Sequence, residues 1–183
     1  MIIKSVNENL DKLHDYVSLR KKCLAVDELH MYDIYTPMVS DVNRKYSYEE
    51  AKEIVVKALE PLGEDYLNVV REAFDNRWID IYENKGKRSG AYSSTSYGVH
   101  PYMLLNFNGN LDSVFTLIHE MGHSLHSSYS NNSQQFIDSQ YKIFVAEVAS
   151  TVNEVLLLEY LLKENEKTGN KKGNACYCLN YLE

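Results

Sequence analysis

The stretch Leu117-Ile118-His119-Glu120-Met121-Gly122-His123-Ser124-Leu125-His126 places H-E-x-x-H inside a helical apolar period. After Gly109, the residues Leu111, Val114, Phe115, Ile118, Met121 and Leu125 share one broad face, so the spacing predicts a helix with an apolar back. Positions i and i+4 differ by about 40° around a helix, which brings both imidazoles to one side. Two neutral imidazole nitrogens so placed suit two corners of a tetrahedral zinc site. Glu120 lies beside them, placed to hold a zinc-bound water and take its proton once the metal has lowered the water pKa towards about 7. Gly122 leaves room for close packing or a strand above the helix.

A bare H-E-x-x-H also arises in unrelated helices. Three features raise this one above that background: its apolar back, a strand expected before it to dock a substrate backbone, and a second apolar helix downstream with carboxylates on its polar side. A catalytic zinc keeps three protein ligands and one open position. In Phe144-Val145-Ala146-Glu147-Val148-Ala149-Ser150, Glu147 is an acid among apolar neighbours, costly to bury unless it pairs or binds metal. Glu154, seven residues on, shares that face. It is either the ligand in place of Glu147 or a hydrogen-bond partner behind a ligand histidine. Glu159 falls on a more polar stretch and reads as solvated. His126 extends the motif, but a continuous helix carries it about two turns from His119, so it reads as packing, as support behind a ligand or as cleft lining. His14, His30 and His100 have no partner spacing and read as structural.

Outward from the motif, Pro101 to Phe107 is a short apolar run that reads as a buried strand. Lys85 to Gly90 is turn-rich, and Ala91 to Gly98 suits an exposed extended segment. Upstream, Leu10, Leu13, Val17 and Leu24 predict a helix from Val6 to about Ala25, and Asp65 to Asn76 fits another. Ser47 with Glu50 is a capping-box start for a helix towards Leu59, which Pro61 and Gly63 close. Downstream, Ser130-Asn131-Asn132-Ser133 reads as the centre of a polar loop. The last helix is expected from about Tyr141 to Lys163, with Phe144, Val148, Val152, Val155, Leu156 and Leu162 as its apolar positions. The expected fold is mainly α with a small β-sheet, one domain over residues 1–183, with 164–183 mobile.

The chain has 183 residues, 44% hydrophobic and 25% charged, with a formal net charge of −7. That length can bury a sizeable core, and the acidic balance argues against a nucleic-acid partner. No run of 18 apolar residues appears, so no membrane span is expected. The three cysteines, Cys23, Cys176 and Cys178, make no disulfide framework. They fit a reduced, cytoplasmic protein.

The motif helix and its flanks, together with Phe144 to Glu154, resemble the oligoendopeptidase F branch of the thimet oligopeptidase family of zinc peptidases. Asp27-Glu28-Leu29-His30-Met31-Tyr32-Asp33 and Arg88-Ser89-Gly90-Ala91-Tyr92 are similar to that branch too. The resemblance implies a zincin-like, mostly helical core with a deep channel. It implies a zinc-dependent endopeptidase acting on short peptides and rejecting folded proteins. It assigns one Zn2+ per chain to His119, His123 and Glu147, the general base to Glu120, and substrate binding to Gly90, Ala91 and Tyr92.

Family members are much longer. The family's downstream tyrosine and histidine groups, which bind substrate and the developing oxyanion, have no counterpart in these 183 residues. The chain alone is therefore expected to bind zinc but to cleave peptides poorly. An alternative is a truncated, inactive relative serving as a folded binding or assembly module. Exposed apolar helix surface would then favour homo-oligomers.

Overall fold

The computed structural model describes residues 2–36, 38, 44–169, 173–175 and 177–178. The chain divides into two compact units, one through residue 41 and one from 42 to 182.

In the first unit, helices α1 (Ile2–Glu8) and α2 (Leu10–Leu24) precede a 3-10 turn, Met31–Tyr35. The single helix expected from Val6 is broken at Asn9. There the side-chain amide donates to the Ser5 carbonyl at 2.8 Å, a local bond that competes with the helical ladder. Arg20, almost fully buried, donates to the carbonyls of Asp33, Ile34 and Thr36 and so holds the 3-10 turn against α2.

In the second unit, α3 spans Tyr48–Ala58, α4 Glu64–Asp75, α5 Leu111–Ser133 and α6 Ile143–Thr168. Ser47 caps α3 as its sequence predicts: Glu50 N–H donates to Ser47 Oγ at 3.2 Å, and Ser47 N–H to Glu50 Oε2 at 2.8 Å. The sheet has three short strands in the order β1 (Ile79–Asp80), β3 (Tyr102–Leu104), β2 (Tyr92–Ser94). Strands β1 and β3 are parallel, pairing Ile79 with Met103. Strands β2 and β3 are antiparallel, pairing Ser93 with Met103. This leaves β2 at an edge. The mainly helical fold with a small sheet agrees with the sequence reading; β1 was not anticipated.

Val114, Leu117, Ile118, Met121 and Leu125 bury the back of α5 against Val55, Val70, Trp78, Met103, Leu157 and Leu161. One expectation fails. The polar stretch Ser130 to Ser133 is helix, not loop. Its side chains bond outward, Ser130 Oγ to the Ser139 carbonyl at 2.6 Å and Asn131 Nδ2 to Thr95 Oγ1 at 3.1 Å, which leaves the backbone free to stay helical. Of the apolar positions read along α6, Leu156 and Leu162 pack against the core. Phe144, Val148, Val152 and Val155 are exposed, while Ala146, Ser150, Asn153, Leu157 and Leu161 pack inward. The helix also runs to Thr168, beyond the expected end at Lys163. Asn165 is buried there and donates to Asn174 Oδ1 at 2.6 Å.

Helices α5 and α6 pack unusually closely. A Cβ on Gly122 would lie 2.8 Å from Ser150 Cα and 2.9 Å from the Ala149 carbonyl oxygen. Asn153 adds a polar tie: its Nδ2 donates to the Ile118 carbonyl at 3.2 Å, and its Oδ1 accepts from Tyr66 Oη at 3.1 Å.

Candidate metal centre

The close crossing of α5 and α6 decides which side chains can meet. His119 and His123 project from α5 one turn apart, with their Nε2 atoms 3.0 Å from each other. Glu147 approaches from α6, its Oε2 at 3.6 Å from His119 Nε2 and 3.7 Å from His123 Nε2. These three atoms form a group that could hold a metal ion. For tetrahedral zinc at its usual bond lengths, neighbouring ligand atoms stand about 3.3–3.5 Å apart, so the donor set fits that ion with small adjustments. Glu147 is half exposed, its side chain at 47%. The burial cost that singled it out in the sequence is therefore not what places it.

Each donor is steered from behind. His119 Nδ1 lies 2.6 Å from Glu154 Oε1, which leaves Nε2 facing His123 and Glu147. Glu154 thus meets the His119 ring at Nδ1 and lies outside the three-atom group. Ser150 Oγ donates to Glu147 Oε2 at 2.9 Å, a link that sequence spacing did not reveal. The His123 ring also bonds the Ala146 backbone.

Glu120 is 7% exposed. The Ser93 N–H on β2 hydrogen-bonds its carboxylate, while Glu120 Oε2 is buried with no hydrogen-bond partner. Burial pushes the Glu120 carboxyl up from the ordinary range, against the lowering pull of His119. His119 is raised, chiefly by its bond to Glu154. His123 is lowered, chiefly by burial and then by the charge on His119. A buried carboxyl with raised proton affinity, beside two imidazoles of opposed tendency, is suited to moving protons.

These groups line an open cleft of about 500 Å³ with Ala91, Tyr92, Ser93, Ser127 and Tyr141. Ala91 and Tyr92 thus stand on the same cleft as His119, Glu120, His123 and Glu147. Gly90 lines a neighbouring cavity instead, and its carbonyl accepts from Asn106 Nδ2 at 2.8 Å. Tyr141 was not singled out from the sequence. Its ring stacks on His126 at 3.9 Å and its hydroxyl meets Ser127 Oγ at 2.5 Å. His126 therefore packs beside the cleft, outside the three-donor group.

Comparison with known proteins accords with this geometry. The family model for peptidase family M3 matches residues 1–177. The chain belongs to peptidase family M3. It is 51% identical over 183 residues to oligopeptidase PepF of Bacillus subtilis, covering 99% of this chain and 26% of that protein. It is 48% identical over 165 residues to the chromosomal oligoendopeptidase F of Lactococcus lactis subsp. cremoris, covering 90% of this chain and 27% of that protein. A solved structure from Chlamydophila abortus superposes with a TM-score of 0.82 at 41% identity, over 98% of this chain and 30% of that one. The resemblance to oligoendopeptidase F seen in the motifs is borne out. The chain spans about a quarter of the length of the curated relatives it matches. Among the described residues, no helix is long and apolar enough to cross a membrane.

Proposed function

We propose that this chain forms the catalytic core of a zinc-dependent endopeptidase that hydrolyses short peptides. The observation that carries the reading is the convergence of His119 Nε2, His123 Nε2 and Glu147 Oε2 at distances suited to tetrahedral zinc, with buried Glu120 on the same cleft.

His119, His123 and Glu147 would hold the ion, as the two histidines and one carboxylate of a hydrolytic site. Zinc bound there would supply Lewis acidity, sharpening water as a nucleophile and polarising the peptide carbonyl. Glu120 accepts the proton of the attacking water and passes it to the departing amine. Its raised proton affinity suits both transfers. The Ser93 N–H fixes the direction of that carboxylate. Beside Ser93, whose N–H is engaged by Glu120, the outward edge at Ala91 offers backbone for an extended peptide to pair with.

Zinc content and turnover of a short fluorogenic peptide test the reading together. The parent chain should hold one zinc. Glu120→Gln should keep the metal and lose at least a hundredfold in whatever rate the parent shows. A parent chain without metal affinity, or a Glu120→Gln variant of unchanged rate, would refute it.

One observation favours a second reading, a folded binding or assembly module: Phe144, Val148, Val152 and Val155 are exposed along α6. Sedimentation of the chain and of a Phe144→Ser, Val148→Ser variant separates the two. Self-association that the variant abolishes, in a chain that never binds zinc, would support the module.

A further inference from the structure

A second cavity, of about 290 Å³, adjoins the cleft, and Ala91 lines both. The β2 segment and α5 run side by side in the same direction. Ser93 Oγ lies 2.8 Å from Ser124 Oγ, and further along both elements Thr95 Oγ1 accepts from Asn131. The Gly90 end of the segment therefore faces the start of α5. Asp112 and Thr116 line the cavity there, on the helix face that continues to Glu120 at steps of four. Asp112 is eight residues before Glu120, about 12 Å along the helix. An extended peptide covers that distance in roughly three to four residues.

Among the residues lining the cavity the one charged side chain is Asp112. Asn106 has spent its two amide N–H groups on the carbonyls of Arg88 and Gly90, at 2.9 and 2.8 Å. That fixes its Oδ1 as an acceptor. The Asp112 carboxylate is a second acceptor. Among the described residues neither oxygen has a hydrogen-bond or ion-pair partner. Buried Leu105 and Phe107 form the apolar side of the same space. An apolar wall with unspent acceptors matches a side chain that is apolar along its stem and cationic at its tip. An acid in the first turn of a helix is also favourable for the helix itself. That role calls for neither the cavity nor the orientation of Asn106.

We infer, building on the peptidase reading, that this cavity is a specificity pocket for a lysine or arginine side chain of the peptide, about three residues from the bond to be cleaved, with Asp112 as the residue that selects it. Asp112 does not touch the reacting atoms. It sets which peptides align on the β2 edge.

The test uses the zinc-loaded Glu120→Gln chain and blocked ten-residue alanine-glycine peptides carrying one lysine, norleucine or glutamate at each position in turn, with affinity read by fluorescence anisotropy. At one position lysine should bind on the order of tenfold tighter than norleucine. Asp112→Asn should erase that preference, and Asp112→Lys should transfer it to glutamate, with thermal stability followed in parallel to register any effect on α5. Peptides that bind without a lysine preference, or a preference that survives Asp112→Asn, overturn the pocket and leave the peptidase reading standing. Failure of every peptide to bind removes the peptidase reading and the pocket with it.

Discussion

His119 Nδ1 and Glu154 Oε1 lie 2.6 Å apart, joining α5 to α6 behind the putting-together of the three donor atoms. Such a partner fixes which ring nitrogen carries the proton and how the ring is turned. Glu154→Ala should lower zinc affinity by about ten- to a hundredfold with the helices retained, and Glu154→Gln by less, because the amide oxygen can still accept. Chelator competition measures both. An affinity unchanged in the alanine variant would show that the ring is held by packing alone.

The capping box at Ser47 yields a prediction remote from the cleft. Ser47→Ala removes the acceptor for the Glu50 N–H and should cost about 1 kcal/mol of stability. Denaturant titration would show it as a lower midpoint at constant slope. Zinc affinity should be unaltered, since Ser47 bonds no cleft residue.

Why some of this was legible in the sequence and some not follows from how local the signals are. The α5 motif and the Ser47 cap rest on side chains three or four residues apart, so spacing alone exposes them. Strand β1 has only two residues, Ile79 and Asp80, and is held from a distance. Met103 N–H donates to the Trp78 carbonyl at 2.7 Å and Leu105 N–H to the Asp80 carbonyl at 2.8 Å. Which face of α6 is buried does not follow from its apolar positions, because the helix is apolar on several sides. What selects the face is the small-residue seam that Gly122 can approach, a property of the pair of helices. Glu147 and Glu154 stand about 20° apart around α6, so periodicity could not assign their separate positions. Their different depths relative to the His119 ring do so.

Alkaline stability should report on Tyr66. Burial raises its hydroxyl to about 12 from the ordinary 10. Below pH 10 the hydroxyl is protonated in both folded and unfolded chains. Above that, the unfolded chain releases the proton first, so stability falls as pH rises from about 10 to 12. The loss attributable to Tyr66 is on the order of 2 kcal/mol. Burial raises Tyr48 as well, so some alkaline slope should remain in Tyr66→Phe. That variant should be about 1 kcal/mol less stable at neutral pH, through the lost bond to Asn153, and flatter between pH 10 and 12. Equal slopes in parent and variant would contradict the assignment.

Gly122→Ala sets two effects of opposite sign against each other. In an exposed helix the change gains up to about 1 kcal/mol of helix propensity. Here the new methyl would meet Ser150 Cα at 2.8 Å and the Ala149 carbonyl oxygen at 2.9 Å. Both are backbone atoms, so no side-chain rotation relieves the overlap and α6 itself must shift. Overpacking of this kind costs about 1–3 kcal/mol, which outweighs the propensity gain. The shift also bears on the donor atoms, because Ser150 holds Glu147 through Oε2 and Glu147 lies on the turn before it. Gly122→Ala should therefore be net destabilised by about 1–2 kcal/mol and bind zinc more weakly than the parent. Asn132→Ala, towards the far end of α5, serves as the control for propensity without close helix packing. Thermal melts and chelator competition on both variants decide the matter. A Gly122→Ala chain as stable as the parent, with equal zinc affinity, would mean that the helices can separate by several tenths of an ångström without disturbing Glu147.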